Sequence, residues 1–430
     1  TSSLAKLWFE DEPNTYYLAI SDGQAVATED QFLGEVTITF SVPDGLTHSL
    51  DTKTYSTPDA DGNIVVLNNG TAPVYPVITA TMSAENGLVA FATDSGGVLQ
   101  FGNPDEVDGV VKQKSERAIW EGFDTTPSGI TYNNAKTNYP NYVGDASRPN
   151  KQQGTINFYN TTGPDPAGGS AAIPTFTNGS TGDWGGPSMQ LPIKANSNGT
   201  NAGSFLLKTR FYFATSVKQQ GRMEMTLQND DGVAYSAVVR DSNATKDEMI
   251  LELFIKDKMF DSIKLDRKAY TNGMYRELMI GKLGSKITMQ LGAVTDIKTG
   301  NTTAVRSTVV RNYDLDYMAD VPVTAFSVWY ERYKNTNHVV MDTTDVQFTW
   351  VNVDYWADMP NRFESGDVVT IDVENKTVYV NGVEDLTLQA VGEPWDSMVL
   401  QPGVATTIQP VASSWASPFS TEITVREAFV

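Results

Sequence analysis

Residues 35–42 alternate strictly, with Val36, Ile38 and Phe40 on one side of an extended chain and Thr37 and Thr39 on the other. A period of two is the signature of a half-buried β-strand. Strand character recurs at 64–67, 74–82, 87–93 and 98–101, and then at 204–215, 222–227, 233–239, 249–255, 277–280 and 286–291. It returns at 324–330, 346–351, 368–373, 377–380 and 422–426. Asn69-Gly70 and Asn381-Gly382 read as tight turns with positive φ, and Asn86-Gly87 as another tight-turn pair. A turn at 374–376 closes a hairpin between 368–373 and 377–380. Residues 256–259 and 315–319 read as helical turns, and no amphipathic helix exceeds about three turns. Many short strands at this spacing build sandwiches or barrels, so the fold class is all-β.

Composition narrows the function classes. Of 430 residues, 19% are charged, below the usual share of about 25%, and Asn, Thr, Gly and Ser fill the gap. The length suggests two or three domains. A net charge of −21 repels phosphate backbones and anionic lipid heads, so nucleic acid is not an expected partner. No apolar stretch is long enough for a membrane helix, and no membrane insertion is expected. There is no cysteine and only His48 and His338, which excludes disulfides, thiolate metal sites and thiol nucleophiles. No metal or organic cofactor is expected. The start, Thr1-Ser2-Ser3, lacks both Met and a signal-peptide pattern, which suggests a processed or truncated chain.

Between about 125 and 201 the chain is crowded with Asn, Gly, Thr, Pro and Ser, the composition of long loops with short strands. Aromatic residues there are candidates for sugar binding. Apolar CH faces of a sugar stack on Trp or Tyr, with amides and carboxylates hydrogen-bonding at the rim. Trp184 lies between glycines, in Gly182-Asp183-Trp184-Gly185-Gly186. Tyr139, Tyr142 and Tyr159 sit in the same polar region, and Trp329, Tyr330 and Tyr333 flank Glu331 and Arg332. Core packing is the alternative for each. For Trp329, alternating after Phe326, it is the preferred reading, and for Trp184 both stay open. The candidate carbohydrate-binding residues are therefore Trp184, Tyr139, Tyr142, Tyr330 and Tyr333.

Asn229-Asp230-Asp231-Gly232 offers oxygen ligands for calcium through Asp230 and Asp231, but reads first as a hairpin turn. A glycosidase would need two carboxylates across a cleft. Glu224 with Glu252, or Asp230 with Asp231, are such pairs, yet 52 acidic residues make chance pairs common. No serine elbow, Walker loop or zinc-binding His-Glu-x-x-His pattern occurs, and the chain is not expected to be an enzyme.

Three patches resemble the distal tail protein family of Gram-positive siphophages. The first is Leu7-Trp8-Phe9-Glu10-Asp11-Glu12-Pro13 with Tyr16-Tyr17-Leu18-Ala19 and Gly34-Glu35-Val36-Thr37-Ile38-Thr39-Phe40. The second is Asn68-Asn69-Gly70-Thr71-Ala72-Pro73-Val74-Tyr75-Pro76-Val77-Ile78. The third is Asn361-Arg362-Phe363-Glu364-Ser365-Gly366-Asp367, followed by residues 368–373, Val378-Tyr379-Val380-Asn381-Gly382 and Leu400-Gln401-Pro402-Gly403.

The resemblance implies the enlarged form of that family. Residues 1–43 would close a β-rich belt domain whose earlier half is missing. Residues 44–118 and 354–430 would form a galectin-like β-sandwich, and 119–353 a lectin-like, carbohydrate-binding β-sandwich inserted into it. It further implies a hexameric ring of this chain at the virion's tail tip, assembled in the bacterial host cytoplasm. Its partners would be the tail tube protein, tail-associated lysin or baseplate proteins, and host cell-wall polysaccharide. A free-standing carbohydrate-binding adhesin is the alternative, and a glycoside hydrolase the third reading.

Overall fold

A computed structural model describes residues 4–30, 33–158, 170–177, 183–298, 302–388 and 392–430. Strands dominate, and the described helices are three short 3-10 turns, Asp316–Met318, Leu386–Leu388 and Trp395–Met398. The chain is all-β. It divides into two compact units: Thr1–Val110 with Trp356–Val430, and Val111–Tyr355.

In the first unit, two sheets enclose one core, and both draw on the two ends of the chain. The central strand Val77–Thr81 pairs with Val368–Asp372 on one side and Ser420–Val425 on the other. In the second sheet, Ala405–Ala412 lies between Ile64–Leu67 and Leu88–Thr93. Alternate residues such as Ile78, Val369, Ile371, Ile423, Phe91 and Ile408 have no exposed surface and fill the space between. The hairpin at 374–376 forms as its sequence suggests, joining Val368–Asp372 to Thr377–Val380.

Asn381 and Gly382 take φ of 53° and 79°, the mirror-image turn that Asn-Gly favours. Gly70 departs from expectation, because its φ is not positive. A Cβ there would lie 2.4 Å from the Ala428 carbonyl oxygen, so glycine serves close backbone approach. A third sheet in this unit holds Ala5–Leu7, Thr15–Asp30, Leu33–Ser41, Thr47–Ser49 and Ala428–Phe429. The alternating strand in it is not half-buried. Val36, Ile38 and Phe40 are 60%, 53% and 42% exposed, because among the described residues no second layer covers that face.

The second unit is a sandwich of a six-stranded and a nine-stranded sheet. Its core takes one alternate face from each strand. Met223, Met225 and Leu227 of strand Gly221–Asn229 meet Phe205, Leu207 and Phe348 from the other sheet. The Phe348 and Trp350 rings lie edge to face at 4.8 Å, a favoured aromatic geometry. Residues 256–259 are not a helical turn. Lys256 and Asp257 form a two-residue hairpin turn between Ile250–Ile255 and Lys258–Lys264, with Lys256 at φ 54°. The turn at 315–319 is helical, as the 3-10 segment Asp316–Met318.

Candidate functional site

The site grows from the face of the nine-stranded sheet that turns away from the core. Along strand Gly221–Asn229 the alternation is Arg222, Glu224, Thr226, Gln228 against three apolar residues. Such a polar face normally meets water. Here all four are buried, at 6%, 1%, 1% and 4% exposure, because the loop around residues 135–139 crosses above them.

The loop is held largely by hydrogen bonds, with the Tyr139 ring set edge to face against Phe254 at 5.8 Å. The Lys136 amide donates to Gln228 Oε1 at 2.9 Å. Asn138 donates to Glu224 Oε1 through its amide and, at 3.0 Å, its side chain. Tyr139 Oη donates to Glu252 Oε2 at 2.6 Å. Gln152 clamps the loop start, accepting from the Ala135 amide at 2.8 Å and donating to its carbonyl at 2.7 Å.

Where the loop ends, a cleft of about 410 Å³ opens, lined by Tyr139, Tyr142, Val143, Trp184, Gln220, Arg222, Arg240, Ser242 and Tyr333. Trp184 faces Tyr333 across paired strands, with ring centroids 5.3 Å apart, and Tyr142 lies 6.1 Å from Tyr333. The Arg222 guanidinium sits between two rings, 4.3 Å from Tyr139 and 4.4 Å from Trp184, where a cation gains from both π faces. Arg148 lies 3.8 Å over Tyr142 and forks onto Asp183 at 2.9 and 3.1 Å, a bidentate geometry that fixes the ring's surroundings.

Beneath the rings lie charges removed from water. Arg240 pairs with Glu252 at 2.7 Å, and Arg222 with Glu331 at 3.5 Å. Burial pushes the Glu224 carboxyl up to about 7 and the Glu331 carboxyl up to about 8, against the pull of Arg222. Burial first, and then the hydrogen bond to Glu252, raises the Tyr139 phenol, which stays a neutral donor.

Four of the five proposed sugar-stacking residues, Trp184, Tyr139, Tyr142 and Tyr333, therefore line one cleft. Tyr330 does not. It points into the core with no exposed surface, and its hydroxyl bonds Thr343 Oγ1 at 2.6 Å. One strand presents alternate residues to opposite faces, so Tyr330 and Tyr333 part company.

Trp184 is only 4% exposed, and the glycines beside it do not leave it uncovered. A Cβ on Gly186 would lie 2.0 Å from the Tyr330 carbonyl oxygen, so that glycine serves strand packing. Trp329 is buried at 2% exposure but is not in the core as expected: it lies on the opposite face from Val328 and Tyr330, beside Glu224, with its indole donating to the Gly186 carbonyl at 3.0 Å. Tyr159 and Gly182 lie outside the described residues. The supporting charge Arg240 was missed as a site residue, and Glu252 was named only as half of a glycosidase pair. Their signal was present as charged residues at alternate positions in strands that are otherwise apolar.

Asp230 and Asp231 occupy the hairpin turn between Gly221–Asn229 and Gly232–Asp241, and the Asp231 amide donates to Asn229 Oδ1 at 3.0 Å. Among the described residues, the one group of carboxylates close enough to share an ion is Glu85, Asp108 and Asp358, in the other unit. Asp230 and Asp231 belong to no such group of three.

Residues 114–352 match the family model described as distal tail component, second carbohydrate binding domain. Nothing among curated proteins matches the chain. Among solved structures, the chain is similar to the CBM2 module of Lactobacillus casei BL23 phage J-1 evolved Dit, at 28% identity and a TM-score of 0.48, covering 57% of this chain and 100% of that one. It is also similar to lectin I from Ulex europaeus in complex with the methyl glycoside of α-L-fucose, at 12% identity and a TM-score of 0.31, covering 56% and 98%. A native glycosidic hydrolase matches at 9% identity and a TM-score of 0.35, covering 56% and 97%.

Proposed function

This chain belongs to the family of distal tail components with a second carbohydrate-binding domain, and from that premise we propose that it is a structural hub of a phage tail tip whose aromatic cleft holds a sugar of the host cell-wall polysaccharide. The observation that carries the binding reading is the convergence of Tyr139, Tyr142, Trp184 and Tyr333 on one cleft with Arg222 and Arg240 at its base. Half-buried Tyr142 and Tyr333 offer ring faces, and the buried residues behind them hold those faces in place. Preorganised rings lose little entropy when a flexible glycan arrives.

The cleft binds rather than cleaves. Glu224, Glu252 and Glu331 are 1%, 2% and 0% exposed. They are engaged by Asn138, Arg240 and Arg222, whereas a glycosidase needs two carboxyl groups presented to the scissile bond.

Residues 44–118 with 354–430 are read as the galectin-like sandwich, 119–353 as its carbohydrate-binding insert and 1–43 as part of the belt. Support comes from the sheets shared by the two flanks of the insert. In this proposal the belt closes a hexameric ring of the chain, contacting the tail tube protein and the tail-associated lysin or baseplate proteins. The uncovered apolar face at Val36, Ile38 and Phe40 supports that assembly, since exposed apolar strand faces mark interaction surfaces. The mature location is the virion's tail tip, after assembly in the host cytoplasm.

The test pairs two measurements on the full chain. Tyr142→Ala with Tyr333→Ala should cut labelling of host cells roughly tenfold or more, as expected for two lost stacking contacts, with melting temperature nearly unchanged. Full labelling by this variant refutes the cleft. Mass in solution separates a ring near six times 47.0 kDa from a free-standing monomeric adhesin.

A further inference from the structure

Strand Gly221–Asn229 carries the aromatic cleft near Arg222. A second cleft opens at its other end, beside Asn229, seven residues away. That is about 23 Å at roughly 3.3 Å per residue. It encloses about 760 Å³, and its walls include Tyr317, Asp231, Asp257, Asp320 and Lys256. Loop residues 137, 138 and 140 line its inner side, while Tyr139 lines the aromatic cleft. The loop thus forms a wall with one cleft on each side.

The second cleft is built. Two hairpin turns, at Asp230-Asp231 and Lys256-Asp257, make one flank. The other is the segment that begins with the 3-10 turn Asp316–Met318. A lysine with 1% exposure, Lys282, anchors that segment. Its Nζ donates to the carbonyls of Ala319 at 2.6 Å, Ala202 at 3.2 Å and Met318 at 3.4 Å. Asn229 holds the segment's end by donating to the Pro322 carbonyl at 3.0 Å. A buried ammonium bonded to backbone carbonyls is a costly device for shaping an ordinary surface turn, and it fixes the backbone on which Tyr317 and Asp320 are mounted.

The chemistry presented is that of a saccharide site lined by carboxylates, where the first is lined by arginines. Tyr317 is 57% exposed, with Lys256 Nζ 5.6 Å from its ring centroid. Its free face suits the apolar side of a sugar ring. Around it stand three carboxylates and one ammonium, acceptors that pair with hydroxyl or ammonium donors and repel acids. The aromatic cleft instead rests on Arg222 and Arg240.

We propose that this second cleft is a saccharide-binding site in its own right, taking a neutral or amine-bearing sugar and rejecting an acidic one. It does not depend on the aromatic cleft being functional. One polysaccharide chain reaching across the loop could engage both, and linked sites raise avidity without new contacts.

The test uses the full chain with Tyr142→Ala and Tyr333→Ala, so that the first cleft is silenced. Saturation-transfer NMR is recorded separately with glucosamine, N-acetylglucosamine and glucuronic acid. Glucosamine and N-acetylglucosamine should give signals that fall roughly threefold or more on adding Tyr317→Ala, with the thermal transition unmoved because Tyr317 is exposed. Glucuronic acid should give little signal, and Asp257→Asn with Asp320→Asn should remove that discrimination. Signals unaffected by Tyr317→Ala, absent for both glucosamine and N-acetylglucosamine, or as strong for glucuronic acid overturn the proposal. Failure of the aromatic cleft alone would appear differently, as cell labelling that survives Tyr142→Ala with Tyr333→Ala.

Discussion

Replacing Glu331 by Gln should stabilise the protein increasingly as pH rises. Glu331 has no exposed surface, its Oε1 has no partner, and its Oε2 meets Arg222 only at 3.5 Å. Burial pushes its carboxyl up to about 8 from an ordinary 4.5. The folded chain therefore keeps a proton that the unfolded chain releases above pH 4.5. Stability from this group is complete below that value and is lost progressively as pH climbs toward 8.

Glutamine imitates the protonated carboxyl and has nothing to titrate. The gap between Glu331→Gln and the unaltered chain should be near zero at pH 4 and reach about 3 kcal/mol at pH 7, at about 1.4 kcal/mol per pH unit over the interval from 4.5. Glu224, raised to about 7 by burial, interacts with Glu331 and shares Arg222 with it, so its trend cancels only in part, and Glu224→Gln in both chains removes what remains. Urea titrations followed by tryptophan fluorescence at pH 5, 6, 7 and 8 measure the gap. Suppose instead that Glu331→Gln is less stable by a constant amount, roughly the 3–5 kcal/mol of a broken buried ion pair. Glu331 would then be ionised and held by Arg222, and the reasoning fails.

Trp184→Ala should cost about 3 kcal/mol, as for a core aromatic, because the indole is 4% exposed against Arg222 and Tyr333. Calorimetry that shows an unmoved transition with lost cell labelling would make Trp184 a free stacking platform instead. A chelator should leave the melting temperature unchanged, and a fall would point to an ion held by Glu85, Asp108 and Asp358. Ile38→Ser with Phe40→Ser, on the uncovered strand face, should convert a ring to monomers in a light-scattering measurement without lowering the melting temperature. A ring of unchanged mass would remove that face from the assembly.

Strand content was legible because a period of two and the chemistry of turns are local properties. Residues 368–380 form the hairpin their pattern implies, and Asn381-Gly382 takes the positive φ values that Asn tolerates and Gly, lacking a Cβ, adopts freely. The aromatic loop residues were legible as candidates because Trp and Tyr in a Gly- and Asn-rich stretch are few. Local pattern does not say which alternate face finds a partner. Val36, Ile38 and Phe40 alternate as a buried strand does, yet stay exposed. Arg222 and Glu224 alternate as a wetted face does, yet are buried, because the loop carrying Lys136 and Asn138 bonds across them. Tyr330 and Tyr333 look alike in sequence, and the sheet sends one to the core and the other to the cleft. The cleft itself joins residues near 139, 184, 222 and 333. Only strand pairing between segments distant in the chain, such as Trp184 beside Tyr333, brings those rings together, because that pairing depends on the whole core closing around one register.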